Sequence, residues 1–456
     1  MKISDFSRQM KHLFRRIKVL LKRYPVHAFA LLSVMAPLGW SIPLLFPVFG
    51  FYSGSRILAT LAEVPAPTWP GILDWWPVLL WLATLLVSFW FGYRLLQVKT
   101  TPPEGMELNQ TEAPELYALI DELTAGHGTL TVHRVIVTGR FQLDVIKTQK
   151  FILPVYSRNT LVIGLPLIQM MPRNIFRALL ARKLSQHSWM RNPLLHFLHQ
   201  MDSAWWQYYE AMAAHPAADM KLFSLAYGIF AMLYHELAEP IARLDGLSAD
   251  RYTLKTISDE DVVESIEYLF IAGMFIDKVF WPRLRQLARQ QQKYDLSPCS
   301  ALARVREKFL GRIDIDAWLL KEMAAGVSPR WGVASMRVRL NTLGHDSALP
   351  LKISNQFAAE AYLGNCLTKI IVEVDRQWRE HTIVKWRAID ERLAEEQALM
   401  TELKTYLKTH DYGFGEWTDC LLWAFDLRKL SAVPLLLKML FTMHIHLLSR
   451  QPAVSA

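Results

Sequence analysis

The stretch NTLVIGLPLIQMMPRNIFRALLARKLSQHS, residues Asn159 to Ser188, changes its period in the middle. NTLVIG is rich in β-branched residues and reads as a strand; beyond Pro172 the apolar residues recur at helical spacing. The segments around it extend both halves. HRVIVTG, FQLDVIK and FILPV, together with NTLVIG, read as short strands within 133–164, and nearly everything after Pro172 carries helical periodicity. Leu116, Leu119, Ile120 and Leu123 form an amphipathic helix begun near Thr111, with Pro114 in its first turn. The fold class is α+β, mostly α.

The 456 residues are 52% hydrophobic and 20% charged, with sixteen Trp and seventeen Met. That excludes a disordered chain and points to a membrane protein with a sizeable soluble part. The net charge of +9 would suit nucleic acid, but its distribution does not. Residues 1–25 hold eight Lys and Arg against Asp5, leaving +2 for everything after them. Phe6, Met10, Leu13, Phe14 and Ile17 share one face of that basic segment, as in a helix lying on an anionic membrane surface. No nucleic-acid partner is expected.

From Tyr24 to Ser55 there is no Lys, Arg, Asp or Glu, and a second such run covers Trp75–Tyr93. Each is long enough to cross a bilayer. Pro37, Pro43 and Pro47 are expected to kink or break the first. A signal peptide is the competing reading, but the run is long and lacks a small-residue cleavage site. Spans are therefore expected at about 27–52 and 74–96, joined by a loop that starts at SGSRILATLAE. Only Arg56 is basic between the two runs, so the positive-inside rule places the N-terminus and the domain after Lys99 in the cytoplasm. The expected organisation is a basic helix over 1–25, a two-span hairpin over 26–98, a domain over 99–350 and a helical extension over 351–456. The apolar stretches 222–234 and 433–448 read as buried or interfacial helices, the first too short to span and the second interrupted by Lys438 and two His. Cys299, Cys366 and Cys420 are too few and too scattered for a disulfide framework or a Cys-based zinc site.

Five landmarks occur in a meaningful order: APELYALIDEL, VIVTG, the opening stretch, LSADRYT and RLNTLG. In that order, from residue 74 to about residue 390, the chain resembles the HtpX-type family of membrane zinc metallopeptidases, relatives of the CAAX prenyl proteases. The resemblance implies a gluzincin-like metallopeptidase domain behind the hairpin. It also implies an H-E-x-x-H helix whose two imidazoles, at i and i+4, bind zinc while the Glu activates water. A third ligand would come from a later Glu-Ala-Asp helix, and an extended substrate would pair with an edge strand, here near 151–164.

None of that chemistry survives at the matching positions. Arg182 stands for the first His, and a guanidinium has no lone pair for a metal. Lys183 replaces the base with a cation, Gln186 replaces the second His, and Ser248 replaces the third ligand while Ala249 and Asp250 persist. The later His-Pro-x-Leu becomes Val333, Ala334, Ser335 and Met336. No catalytic residue is therefore expected, and no zinc or other cofactor. Arg182 could instead pair with Asp250, or another acid near Ser248, and join the two helices without a metal; the equal alternative is that it points to solvent.

Relocated ligands are the alternative: His187, His196 and His199 cluster, and His235 stands four residues before Glu239. With fourteen His, such spacings arise by chance, and a His/Glu pair of this kind is ordinarily a surface or cap feature. No nucleophile elbow, phosphate-binding or dinucleotide-binding glycine pattern occurs. The expected function is a catalytically inactive peptidase homologue at a bacterial-type inner membrane, holding a protein or peptide partner. An active metalloendopeptidase with relocated ligands, or a structural subunit of a membrane complex, stands against it.

Overall fold

The computed structural model describes residues 25–63, 76–96, 98, 104–125, 131–149, 157–187, 193–215, 218–291, 296–310, 315–325, 333–345 and 356–409. The amphipathic helix expected over 1–25, except Pro25, lies outside the described residues, as do FILPV, the stretch 433–448 and Cys420. The chain divides into two units, Met1–Asp375 and Arg376–Ala456.

Helix α1, Pro25–Glu63, is longer than the sequence suggested, and α2, Trp76–Leu96, follows it. Pro37, Pro43 and Pro47 neither break α1 nor end it. Each costs a helical hydrogen bond, which an apolar setting tolerates when the rest of the ladder is kept. SGSRILATLAE is helix rather than loop, because Ile, Leu, Ala and Arg favour helix and a single Gly does not stop them. Two stretches are long and apolar enough to cross a membrane, Leu45–Ala62 and Trp76–Leu95. The first of these lies later than the expected span, since part of the N-terminal portion of α1 is packed against other helices. Leu32 and Ala36 are buried, whereas Phe51, Leu58, Leu79 and Phe89 are exposed apolar side chains.

Strands β1 (Met106–Leu108), β2 (Arg134–Thr138), β3 (Leu143–Gln149) and β4 (Ser157–Gly164) form one sheet in the order β1-β2-β4-β3, with α3, Pro114–Ala125, between β1 and β2 in sequence. β2 and β4 are parallel, with Val135 opposite Leu161, and the outer pairings are antiparallel. Thr160 to Gly164 are buried, as an interior strand requires. This corrects the expectation that a segment near 151–164 offers a free edge. β4 is bonded on both sides, and the edge beside it among the described residues is β3.

Helices α4 (Leu165–Met170), α5 (Arg173–Gln186), α6 (Pro193–Ala213) and α7 (Ala218–Thr253) follow. After them come α8 (Asp259–Phe275), α9 (Trp281–Gln291), α10 (Pro298–Leu310), α11 (Ile315–Ala325), α12 (Met336–Thr342), α13 (Ala358–Leu363) and α14 (Leu367–Thr409). Ile175, Phe176, Leu179, Leu180 and Leu184 give α5 its buried face. α8 starts at Ser258, whose Oγ accepts from the Asp261 backbone N–H at 3.2 Å, and three acids in its first turn complement the helix dipole.

One core lies between the sheet and α3, α4, α5, α8 and α13. Ala358, Ala359, Tyr362 and Leu363 belong to it, so that core runs past the boundary expected at 350. A second core joins α1 and α2 to α6 and α7 through Leu32, Leu95, Trp205, Tyr208, Tyr227 and Tyr234. Gly39 of α1 is needed there: a Cβ would sit 2.4 Å from the Trp205 ring. The stretch 222–234 is part of α7, with Tyr227, Ala231 and Tyr234 buried. In the second unit, the Trp378 and Trp386 rings meet edge to face at 5.3 Å.

Candidate functional site

A cleft of about 460 Å³ opens where the end of β4 hands the chain to α4 and α5. Its walls are Phe141 and Gln142 just before β3, Leu143 and Asp144 at its start, Leu167 of α4, Leu179, Arg182, Lys183 and Gln186 of α5, and Gly246 and Leu247 of α7. Leu269, Val333, Ala334 and Arg339 close it. Arg182 and Gln186 are one helical turn apart, so both reach the same cavity, as two ligands at i and i+4 would. The backbone at its mouth is tightly fixed. Gly164 donates its N–H to the Gln142 carbonyl at 2.7 Å, and a Cβ on Gly164 would lie 1.9 Å from the Arg140 carbonyl oxygen.

The floor of the cleft is an ion triad. Arg182 Nε donates to Asp250 Oδ1, joining α5 to α7. Arg339 of α12 reaches the same carboxylate with a two-pronged fork, Nε to Oδ2 at 2.8 Å and Nη2 to Oδ1 at 2.9 Å. Asp250 is 0% exposed, Arg339 7% and Arg182 16%. Burial alone would raise the Asp250 carboxyl, but the Arg182 and Arg339 charges beside it prevail and hold it at about 2. Lys183 is bound to Asp144 of β3 at 2.6 Å, so α5 is also tied to the edge strand.

Arg182, Lys183 and Gln186 line the cleft, but Ser248 does not. On α7 it is half-buried and points away, two residues from both Gly246 and Asp250 and therefore more than half a turn off. The position across from Arg182 is Gly246: a Cβ there would lie 3.4 Å from Arg182 Nη2. A guanidinium, an ammonium, an amide and a glycine are not a zinc donor set, so the residues of the cleft do not fit that metal. Arg339 is the participant that sequence reasoning missed. RLNTLG marked the helix as a landmark, and a second Arg without an assigned acid was its only signal.

The relocated-ligand residues are dispersed in role. His187 is buried at the C-cap of α5. His196 and His199 lie on α6, and their side chains are outside the described set. Of the expected surface or cap setting, His235 shows no cap: it lies in the middle of α7, which continues through Pro240, with its side chain 36% exposed. Its Nδ1 lies 3.1 Å from both Asp202 oxygens, while Glu239 is buried and 3.5 Å from Arg243. Among the described residues no three His, Cys, Asp or Glu side chains come together closely enough to hold a metal ion. Cys299 is buried, its thiol pushed up by burial, then by Asp375, which also accepts the Cys299 backbone N–H at 2.8 Å. Such a thiol is a packing group rather than a nucleophile.

Compared with protein-family models, curated proteins and solved structures, the chain gives no match.

Proposed function

We propose that this chain is a membrane-anchored, catalytically inactive homologue of zinc metallopeptidases that holds an extended peptide or protein segment without cutting it. The observation that carries the reading is the cleft. It lies beside the edge strand β3 and over the α5 face on which a metallopeptidase would set its ligands, yet that face presents Arg182, Lys183 and Gln186. A segment lying in the cleft can run along β3, an edge strand among the described residues, and pair with it by strand addition. The ion triad ties α5, α7 and α12 together, so the cleft keeps its shape without a metal.

The anchor we place in a bacterial-type inner membrane, with the N-terminus and the domain after Lys99 on the cytoplasmic side. Eight basic residues before the first apolar run, against Arg56 between the runs, support that orientation. Metal analysis and peptide cleavage on the purified full chain test the function. The expected result is no stoichiometric zinc and no hydrolysis, with saturable binding of extended peptides. Stoichiometric zinc, lost together with peptidase activity in His196→Ala or His199→Ala, would establish relocated ligands instead. Absence of both metal and peptide binding would favour a structural subunit.

A further inference from the structure

The triad at the floor of the cleft does not balance. Two guanidinium groups share one carboxylate, which leaves a surplus positive charge. Asp144, the acid among the described residues that line the cleft, is taken by Lys183 at 2.6 Å. Glu239 and Asp245, buried on α7, are not among the residues that line it. The asymmetry within the triad locates the surplus. Arg339 spends Nε and Nη2 on Asp250, whereas Arg182 spends only Nε. Among the described residues Arg182 Nη1 and Nη2 have no acceptor, and Nη2 lies at the cleft wall beside Gly246. The absence of a side chain on Gly246 leaves that fork open to the cavity.

A planar fork of N–H donors, short of one negative charge and set among Leu143, Leu167, Leu179 and Leu269, is the complement of a carboxylate. The apolar walls lower the local dielectric and strengthen such a contact relative to water. A single surplus charge matches a monoanion rather than a dianionic phosphate. We infer that the cleft binds a carboxylate carried by an extended peptide, with Arg182 Nη1 and Nη2 as its receptor. The carboxylate can be the chain terminus or an Asp or Glu side chain. This rests on the reading that the cleft holds a peptide segment, and it names the chemistry the segment must bring.

The test uses the full-length protein in detergent and three octapeptides of alternating Val and Thr, each acylated at its N-terminus with an uncharged fluorophore. One ends in a free carboxylate, one in an amide, and one in an amide with a single internal Glu. At low salt at least one acidic peptide is expected to bind about tenfold or more tightly than the neutral amide, and which one it is identifies the source of the carboxylate. Arg182→Gln is expected to bring the ratio to within about twofold. Arg182→Lys, which keeps a charge for Asp250 but loses the fork, is expected to lose most of the preference and serves if the Gln variant does not fold. Equal binding of all three peptides overturns the carboxylate site while leaving the peptide-holding reading intact. A preference that survives in folded Arg182→Gln also overturns it. Failure of all three to bind overturns both.

Discussion

Asp250 is the residue on which the site's integrity turns. With both oxygens engaged and no exposure, it carries two cations that have no other acid in the triad. Asp250→Ala is expected to destabilise the protein by roughly 3–5 kcal/mol in chemical denaturation, because it leaves like charges buried side by side. The triple change Arg182→Met, Asp250→Leu, Arg339→Met removes the whole ion group and is expected to cost much less; an equal or larger loss would show that the triad is a net source of stability. The pH dependence follows from the same geometry. The Asp250 carboxyl is held at about 2, below the ordinary range near 4, so its contribution is complete above about pH 4 and is lost as pH falls toward 2. The gap in melting temperature between wild type and Asp250→Asn is therefore expected to be constant from pH 7 to about 5 and to shrink below 4. A gap that widens on acidification would contradict the ion triad. The Arg182–Asp250 pair was readable from the sequence as a candidate ion pair between two helices. Arg339 was not, because nothing local says that a carboxylate already paired will take a second guanidinium.

At the scale of elements, the strand-to-helix passage at Gly164 sets the mouth of the cleft. The glycine has φ −74°, open to any residue, so its necessity is one of space rather than of backbone conformation. Gly164→Ala must push back the Arg140–Gln142 backbone, and a loss of roughly 1–3 kcal/mol or more is expected in thermal or denaturant unfolding. Unchanged stability would mean that this backbone is free to move. Period and β-branching made β2, β3, β4 and α5 legible, since burial on one or both faces leaves a direct mark on composition. Strand order left a fainter mark. NTLVIG, with its continuous apolar run, is interior, and β3, polar at Asp144 and Lys147, is the edge. The extent of α1 was misread where its prolines were expected to kink or break it and SGSRILATLAE was read as loop. α1 runs through three prolines and Gly54, and α7 runs through Pro240, because packing and an apolar setting outweigh local propensity. Ser248 is not among the cleft residues for a related reason: a motif gives spacing along the chain, but helical phase decides which of its residues faces the cleft.

For the whole molecule, the two apolar stretches and the second core must be reconciled. Leu45–Ala62 and Trp76–Leu95 are apolar and little buried, whereas Leu32, Ala36 and Gly39, earlier in α1, pack with α6 and α7. α1, at 39 residues, is nearly twice the length a bilayer core needs. That length allows α1 two roles: its later part is long and apolar enough to cross a bilayer, and its earlier part packs against α6 and α7. The aromatic triplet Phe46, Phe91 and Phe223, with ring centres 5.3–5.6 Å apart, stands at the junction of these two roles. This arrangement, with the charge asymmetry of the ends, makes a topology prediction for the intact chain in cells. In a background with the three native cysteines changed to alanine, Thr68→Cys, between the apolar stretches, is expected to react with a membrane-impermeant maleimide applied from outside. Lys255→Cys, exposed just after α7, is expected to react only after the membrane is opened. Labelling of Lys255→Cys in sealed cells, with Thr68→Cys protected, would reverse the orientation. Labelling of neither would place both positions on the inner side and remove the hairpin, because a pair of spans must deliver its connecting segment across the bilayer.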